Sequence, residues 1–322
     1  MPSKLLILAL VAPCILVGGG VLIYQSLADY SQPAQVNVSQ AEVLNEADQA
    51  LESILAGLAP STDPLSVGVE AYKTGGYAVA LARLKPLAEQ GNADAQYHLG
   101  LIYAHGRGVT QSYADAAHWY QLAAEQGDAY AQTNLGILYL EGQGVAQSDK
   151  EAFNWLKLAA DQRNPTAQAN LGKMYLEGKS VEQSDYQAIE LFMKATEQGS
   201  ALGQYNLGIL SYQGNPLTGQ SYTAAARWFQ LAADQNFALA QHNLGVMYHA
   251  GEGFKQSDSE ALRFFQLAAD QGVALSQYNL GTMYEEGRAV QQSTTEAIKW
   301  YEKAAAQGQV DAVTRLGELK LP

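Results

Sequence analysis

Between residues 92 and 317 the apolar positions follow a helical period. In AQYHLGLIYAHGRGV, Ala95, Leu99 and Tyr103 fall four residues apart and so share one face of a helix. The pattern returns as AQTNLGILYLEGQGV at Ala131 and AQANLGKMYLEGKSV at Ala167. Three further copies follow: GQYNLGILSYQGNPL at Gly203, AQHNLGVMYHAGEGF at Ala240 and SQYNLGTMYEEGRAV at Ser276. Successive copies start 36 residues apart, except for one step of 37. A fixed period of this size marks stacked supersecondary units, not a single compact core.

Each unit reads as two helices. Gly100 follows Leu99 directly, and a side chain of zero volume there lets the paired helix approach closely. Gly106 ends the first helix in a left-handed cap, and Gly108-Val109 completes the turn. A serine opens the second helix in every copy: Ser112, Ser148, Ser184, Ser221, Ser257 and Ser293. Glu or Gln three residues after Ser148, Ser184, Ser257 and Ser293 adds a capping box. Ala116, Trp119 and Ala123 are expected to face inward, with Trp155, Trp228 and Trp300 at the place of Trp119. Gly127, Gly199, Gly272 and Gly308 close the second helix, while Asn236 suits that left-handed position and Arg163 suits it poorly. Asn164-Pro165 supplies the cap and first-turn proline of the next helix.

The ends depart from the repeat. The chain divides into residues 1–28, a linker at 29–63, a degenerate capping hairpin at 64–91, six units over 92–308 and a half-unit cap at 309–322. The six units run over 92–127, 128–163, 164–199, 200–236, 237–272 and 273–308. Within the linker, Ser39-Gln40-Ala41-Glu42 opens an amphipathic helix over about 40–58, with Leu44, Leu51, Leu58 and Ile54 on one face.

Residues 5–24 carry no charge, and as a helix they span roughly 30 Å, the thickness of a bilayer's hydrocarbon core. Lys4 precedes the run and no Lys or Arg follows until Lys73, which places the amino terminus in the cytoplasm and the remainder outside it. Two readings fit this segment. It is a single-pass anchor with the repeats periplasmic or extracytoplasmic, or, through Ser26-Leu27-Ala28, a cleaved signal that leaves a secreted or periplasmic protein.

Composition narrows the chemistry. The net charge of −13 without a basic cluster argues against nucleic-acid binding. A lone cysteine, Cys14, rules out an intrachain disulfide. His98/His105 and His242/His249 are seven residues apart, about 10 Å along a helix, too far to share one metal ion. No phosphate loop or nucleophile elbow is present, so no cofactor, metal or catalytic residue is expected.

The pattern Ala-x3-Leu-Gly-x2-Tyr, then Gly-x-Gly-Val, then Ala-x2-Trp and Ala-Ala-x-Gln-Gly resembles the Sel-1-like repeat family, relatives of the tetratricopeptide repeat. The resemblance covers residues 92–317. It departs locally: Ser211 replaces the tyrosine of the fourth copy, whose loop through Asn215-Pro216 is one residue longer. The resemblance implies an all-α, right-handed superhelical solenoid that acts as a non-enzymatic adaptor for protein complexes, often at membranes or in the bacterial envelope. A cysteine-rich secreted subgroup of that family is linked to β-lactam binding or hydrolysis, but its cysteines are absent here. An envelope enzyme acting on cell-wall or β-lactam substrates therefore stands only as the alternative.

Two sets of positions bear on binding. Gln96, Gln132, Gln168, Gln204, Gln241 and Gln277 recur in all six copies, and Asn134, Asn170, Asn206, Asn243 and Asn279 in five. Such amides either grip an extended peptide or bridge neighbouring helices, and the regularity of the repeat favours bridging. In tetratricopeptide-like arrays the first helices line a concave groove, and there the copies differ. The candidate partner-binding positions are Tyr97, Leu101, Ile137, Leu140, Tyr205, Ile209, Tyr212, His242, Val246, His249 and Tyr278. Their apolar and aromatic character fits a groove for a partner peptide or helix, unless curvature buries them against neighbouring repeats.

Overall fold

A computed structural model describes residues 63–319, so the uncharged run and the amphipathic stretch before them lie outside the described residues. Among the described residues every regular element is an α-helix. A first hairpin, α1 (Pro64–Lys73) and α2 (Tyr77–Glu89), precedes six helix pairs. These are α3 (Ala93–His105) with α4 (Tyr113–Glu125), α5 (Ala129–Glu141) with α6 (Asp149–Asp161), and α7 (Pro165–Glu177) with α8 (Asp185–Glu197). They continue as α9 (Ala201–Gln213) with α10 (Tyr222–Asp234), α11 (Ala238–Ala250) with α12 (Asp258–Asp270), and α13 (Ala274–Glu286) with α14 (Thr294–Ala306). The single helix α15 (Val310–Leu319) stands where a seventh first helix would begin.

The chain forms two compact units. One takes in the described residues up to Leu171 with Lys179–Glu182, the other Gly172–Gly178 and the described residues from Gln183 onward. Within each, a helix packs chiefly against its neighbours in sequence, the arrangement of a solenoid segment.

Local signals build these pairs. Each of the six serines accepts a backbone N–H three residues ahead, from Asp115, Glu151, Gln187, Ala224, Glu260 and Glu296. Asn164 caps α7 by accepting from the Ala167 N–H at 3.0 Å. Left-handed residues end the helices, and Arg163 (φ 66°) is forced into that conformation where sister copies use glycine or Asn236 (φ 63°). A β-carbon makes that backbone cost roughly 1–2 kcal/mol.

The repeated glycine inside each first helix is explained by what lies against it. A Cβ on Gly100 would meet the Tyr120 ring at 2.4 Å, and one on Gly208 would meet Phe229 at 2.5 Å. The core differs here from the sequence expectation. Trp119, Trp155, Trp228 and Trp300 are only half-buried. The residue after each fills the core instead: Tyr120, Leu156, Phe229 and Tyr301, joined by Phe192 and Phe265 in the copies that lack tryptophan, are all at most 2% exposed. One residue turns a helix by about 100°, and it is the following side chain that points at the glycine notch.

Candidate partner-binding face

Where a tyrosine follows the repeated glutamine, ring packing sets its place. In the first unit the Tyr97 ring leans on the buried Tyr120 ring, centroids 6.2 Å apart. In the second, Tyr205 leans on Phe229 at 5.8 Å and Tyr278 on Tyr301 at 5.5 Å. All three tyrosines are half-buried, so a core ring fixes one side of each. Burial, reinforced by Asp128, Tyr72 and Tyr130, pushes the Tyr97 phenol up to about 12. Burial likewise raises the Tyr278 phenol.

The other candidates divide by depth. Leu101, Ile137 and Leu140 in the first unit, and Ile209 and His249 in the second, are half-buried. Leu101 and Ile209 rest on the buried clusters of their units. His249 Nδ1 lies 2.9 Å from Asp258 Oδ1. Three candidates are buried within the protein: Tyr212 at 5%, Val246 at 4% and His242 at 3% exposure. The Tyr212 hydroxyl donates to Glu252 at 2.5 Å, and burial with that carboxylate holds its phenol well above the usual range. His242 Nδ1 lies 2.7 Å from Ser276 Oγ, which ties α11 to α13. At this depth none of the three presents an exposed side chain to a partner.

The repeated glutamines are structural. Gln96 Nε2 donates to the Ala88 carbonyl at 3.0 Å, while Gln96 Oε1 accepts from Gln126 Nε2 at 2.7 Å. Gln132 makes the same two bonds with Ala124 and Gln162, and Gln277 with Ala269 and Gln307. Bridging neighbouring helices is therefore the role of these amides, and a peptide ladder is not needed to account for them.

The Sel1 repeat model matches six consecutive stretches: 93–128, 129–164, 165–200, 201–237, 238–273 and 274–309. The chain belongs to the Sel1 repeat family. Its fold resembles the crystal structure of a protective antigen present in uropathogenic Escherichia coli strains displaying an SLR fold. Identity is 34% and the TM-score 0.59, with 88% of this chain and 59% of that one covered. The chain thus spans about three fifths of the length of that relative. It also resembles a Sel1 repeat protein from Oxalobacter formigenes at 28% identity and a TM-score of 0.67, over 76% of this chain and 97% of that one. No curated protein matches the chain.

Chemically, this Sel1 repeat protein presents rings, amides and scattered ion pairs. Among the described residues no group of three or more His, Cys, Asp or Glu side chains converges as a metal site. Two features escape a reading of the repeat alone. The glutamines that end the second helices, such as Gln126 and Gln162, complete the amide bridges, although their place suggests only a helix end. Tyr72 and Tyr130 join Tyr97 and His98 in a run of rings, yet Tyr72 lies in the degenerate hairpin and Tyr130 at a position that the other copies fill with Asp94, Thr166, Leu202, Leu239 and Leu275.

Proposed function

We propose that this Sel1 repeat protein is a non-enzymatic scaffold that binds partner protein through the first-helix face of the repeats in each of its units. The observation that carries the reading is the half-buried tyrosine at one repeat position, Tyr97, Tyr205 and Tyr278, each braced on a core ring. A braced aromatic loses little conformational freedom on binding, which is why such residues anchor interfaces. Leu101, Ile137 and Leu140 extend that face in the first unit, and Ile209 and His249 in the second, where Tyr212, His242 and Val246 are buried. The uncharged run at residues 5–24 supports placing this scaffold at a membrane with the repeats extracytoplasmic.

The test is partner capture in cells by a photo-crosslinker at position 209, one helical turn from Tyr205, compared between the otherwise wild-type chain and the Tyr205→Ala, Tyr278→Ala double variant. Capture should fall at least several-fold at a temperature where circular dichroism shows full helicity. Undiminished capture by the folded variant sinks the face, and turnover of a β-lactam or peptidoglycan substrate sinks the non-enzymatic reading.

A further inference from the structure

We infer that the rings of Tyr72, His98, Tyr97 and Tyr130 form a docking strip for an arginine-bearing segment of the partner protein. This deepens the preceding proposal and rests on it for the use of the first-helix face. The strip lies wholly within the first unit and crosses three first helices, α1, α3 and α5. Its centroids follow one another at 5.6 Å from Tyr72 to His98, 5.2 Å from His98 to Tyr97 and 5.9 Å from Tyr97 to Tyr130.

One end of the strip already holds a guanidinium. The Arg107 guanidinium carbon lies 5.1 Å from the centre of the Tyr72 ring and 5.7 Å from that of Tyr77, and Nη1 donates to the Tyr72 hydroxyl at 2.7 Å. The other end offers the same chemistry without a resident. Tyr130 is 62% exposed, and among the described residues no cation covers it or Tyr97.

Charge complements the rings. Asp128 caps α5 two residues before Tyr130, accepting from the Ala131 N–H at 2.7 Å, and its charge helps raise the Tyr97 phenol; Asp94 lies exposed on the first turn of α3, three residues before Tyr97. A carboxylate beside an open aromatic face suits a cation that stacks as well as pairs. Guanidinium does both, being planar and weakly hydrated, whereas an ammonium gives up more hydration to reach a ring.

The probe is a fluorescein-labelled peptide of alternating glycine and arginine, titrated with the full chain by fluorescence anisotropy beside its lysine and proline counterparts. The arginine peptide should bind tightest of the three. Tyr130→Ala should weaken it about 2- to 30-fold, and Tyr130→Phe should keep most of the affinity. Asp128→Asn retains a helix-capping side chain while removing its charge, so it should weaken binding and flatten the salt dependence. The strip is overturned by a failure of the arginine peptide to bind, by wild-type affinity in Tyr130→Ala, or by equal binding of the lysine or proline peptide. If the strip fails in this way while the Tyr205 and Tyr278 variant still loses its cellular partner, the first-helix face stands and only the arginine preference falls.

Discussion

His242 shows how far the surroundings of one residue can depart from those of its counterparts in other repeats. Tyr97, Tyr205 and Tyr278 at the same repeat position are half-buried, but His242 on α11 is buried against α12 and α13, its ring 5.8 Å from that of Phe265 and its Nδ1 2.7 Å from Ser276 Oγ. Burial lowers its pKa from 6.5 to about 4. The unfolded chain therefore takes up a proton near pH 6.5 that the folded protein refuses until about pH 4. Stability from the neutral ring is complete above pH 6.5 and is lost as the pH falls through that window, at about 1.4 kcal/mol per pH unit. Melting temperatures of wild type and His242→Thr, measured from pH 7.5 to 4.5, check this. Threonine already occupies the same position, buried, at Thr133. The wild type should lose stability more steeply with acid, and parallel slopes would show that the ring does not titrate in this window.

At the scale of helices, the amide bridges set how one repeat meets the next. Gln132 on α5 donates back to Ala124 of α4 and accepts from Gln162 at the end of α6, so one side chain holds three helices in register. Gln132→Leu removes two hydrogen bonds at once, although the Ala124 carbonyl keeps the Gly127 N–H at 3.0 Å, and at about 0.5–1.5 kcal/mol each should cost about 1–3 kcal/mol. Gln162 is exposed, so water can replace it and Gln162→Ala should cost under about 1 kcal/mol. Urea midpoints of the two variants measure the difference, and equal losses would assign the stability to packing instead of the bridge. Much of this level was legible in the sequence because it is local. Each serine cap needs only its own next three residues, and each left-handed glycine only its own φ. The core aromatic was less legible. Trp119 and Tyr120 are adjacent and both apolar, and only the position of Gly100 across the helix pair decides that Tyr120 is buried.

For the molecule as a whole, sequence identity between copies reveals architecture and differences between copies suggest function, but exposure decides which differences reach a partner. Tyr212 and Tyr130 illustrate the gap. Tyr212 occupies a variable position and is buried by its own repeat and by Glu252, while Tyr130 interrupts no repeat signal and stands in solvent. Among the described residues no helix is long and apolar enough to cross a membrane. For a chain held at a bilayer as proposed, the uncharged residues 5–24 are the segment proposed to hold it, since as a helix their length would match the hydrocarbon core. Full-length protein should then sediment with membranes and resist alkaline carbonate. A variant lacking residues 1–28 should remain in the supernatant with an unchanged melting temperature, because the repeats build their own core. The mass of the mature amino terminus separates the two routes: a chain beginning at or near Met1 is anchored, and one beginning near Asp29 has been cleaved. Recovery of the intact chain from the carbonate supernatant, with Met1 or its neighbour still in place, would remove both routes and leave the scaffold without a membrane address.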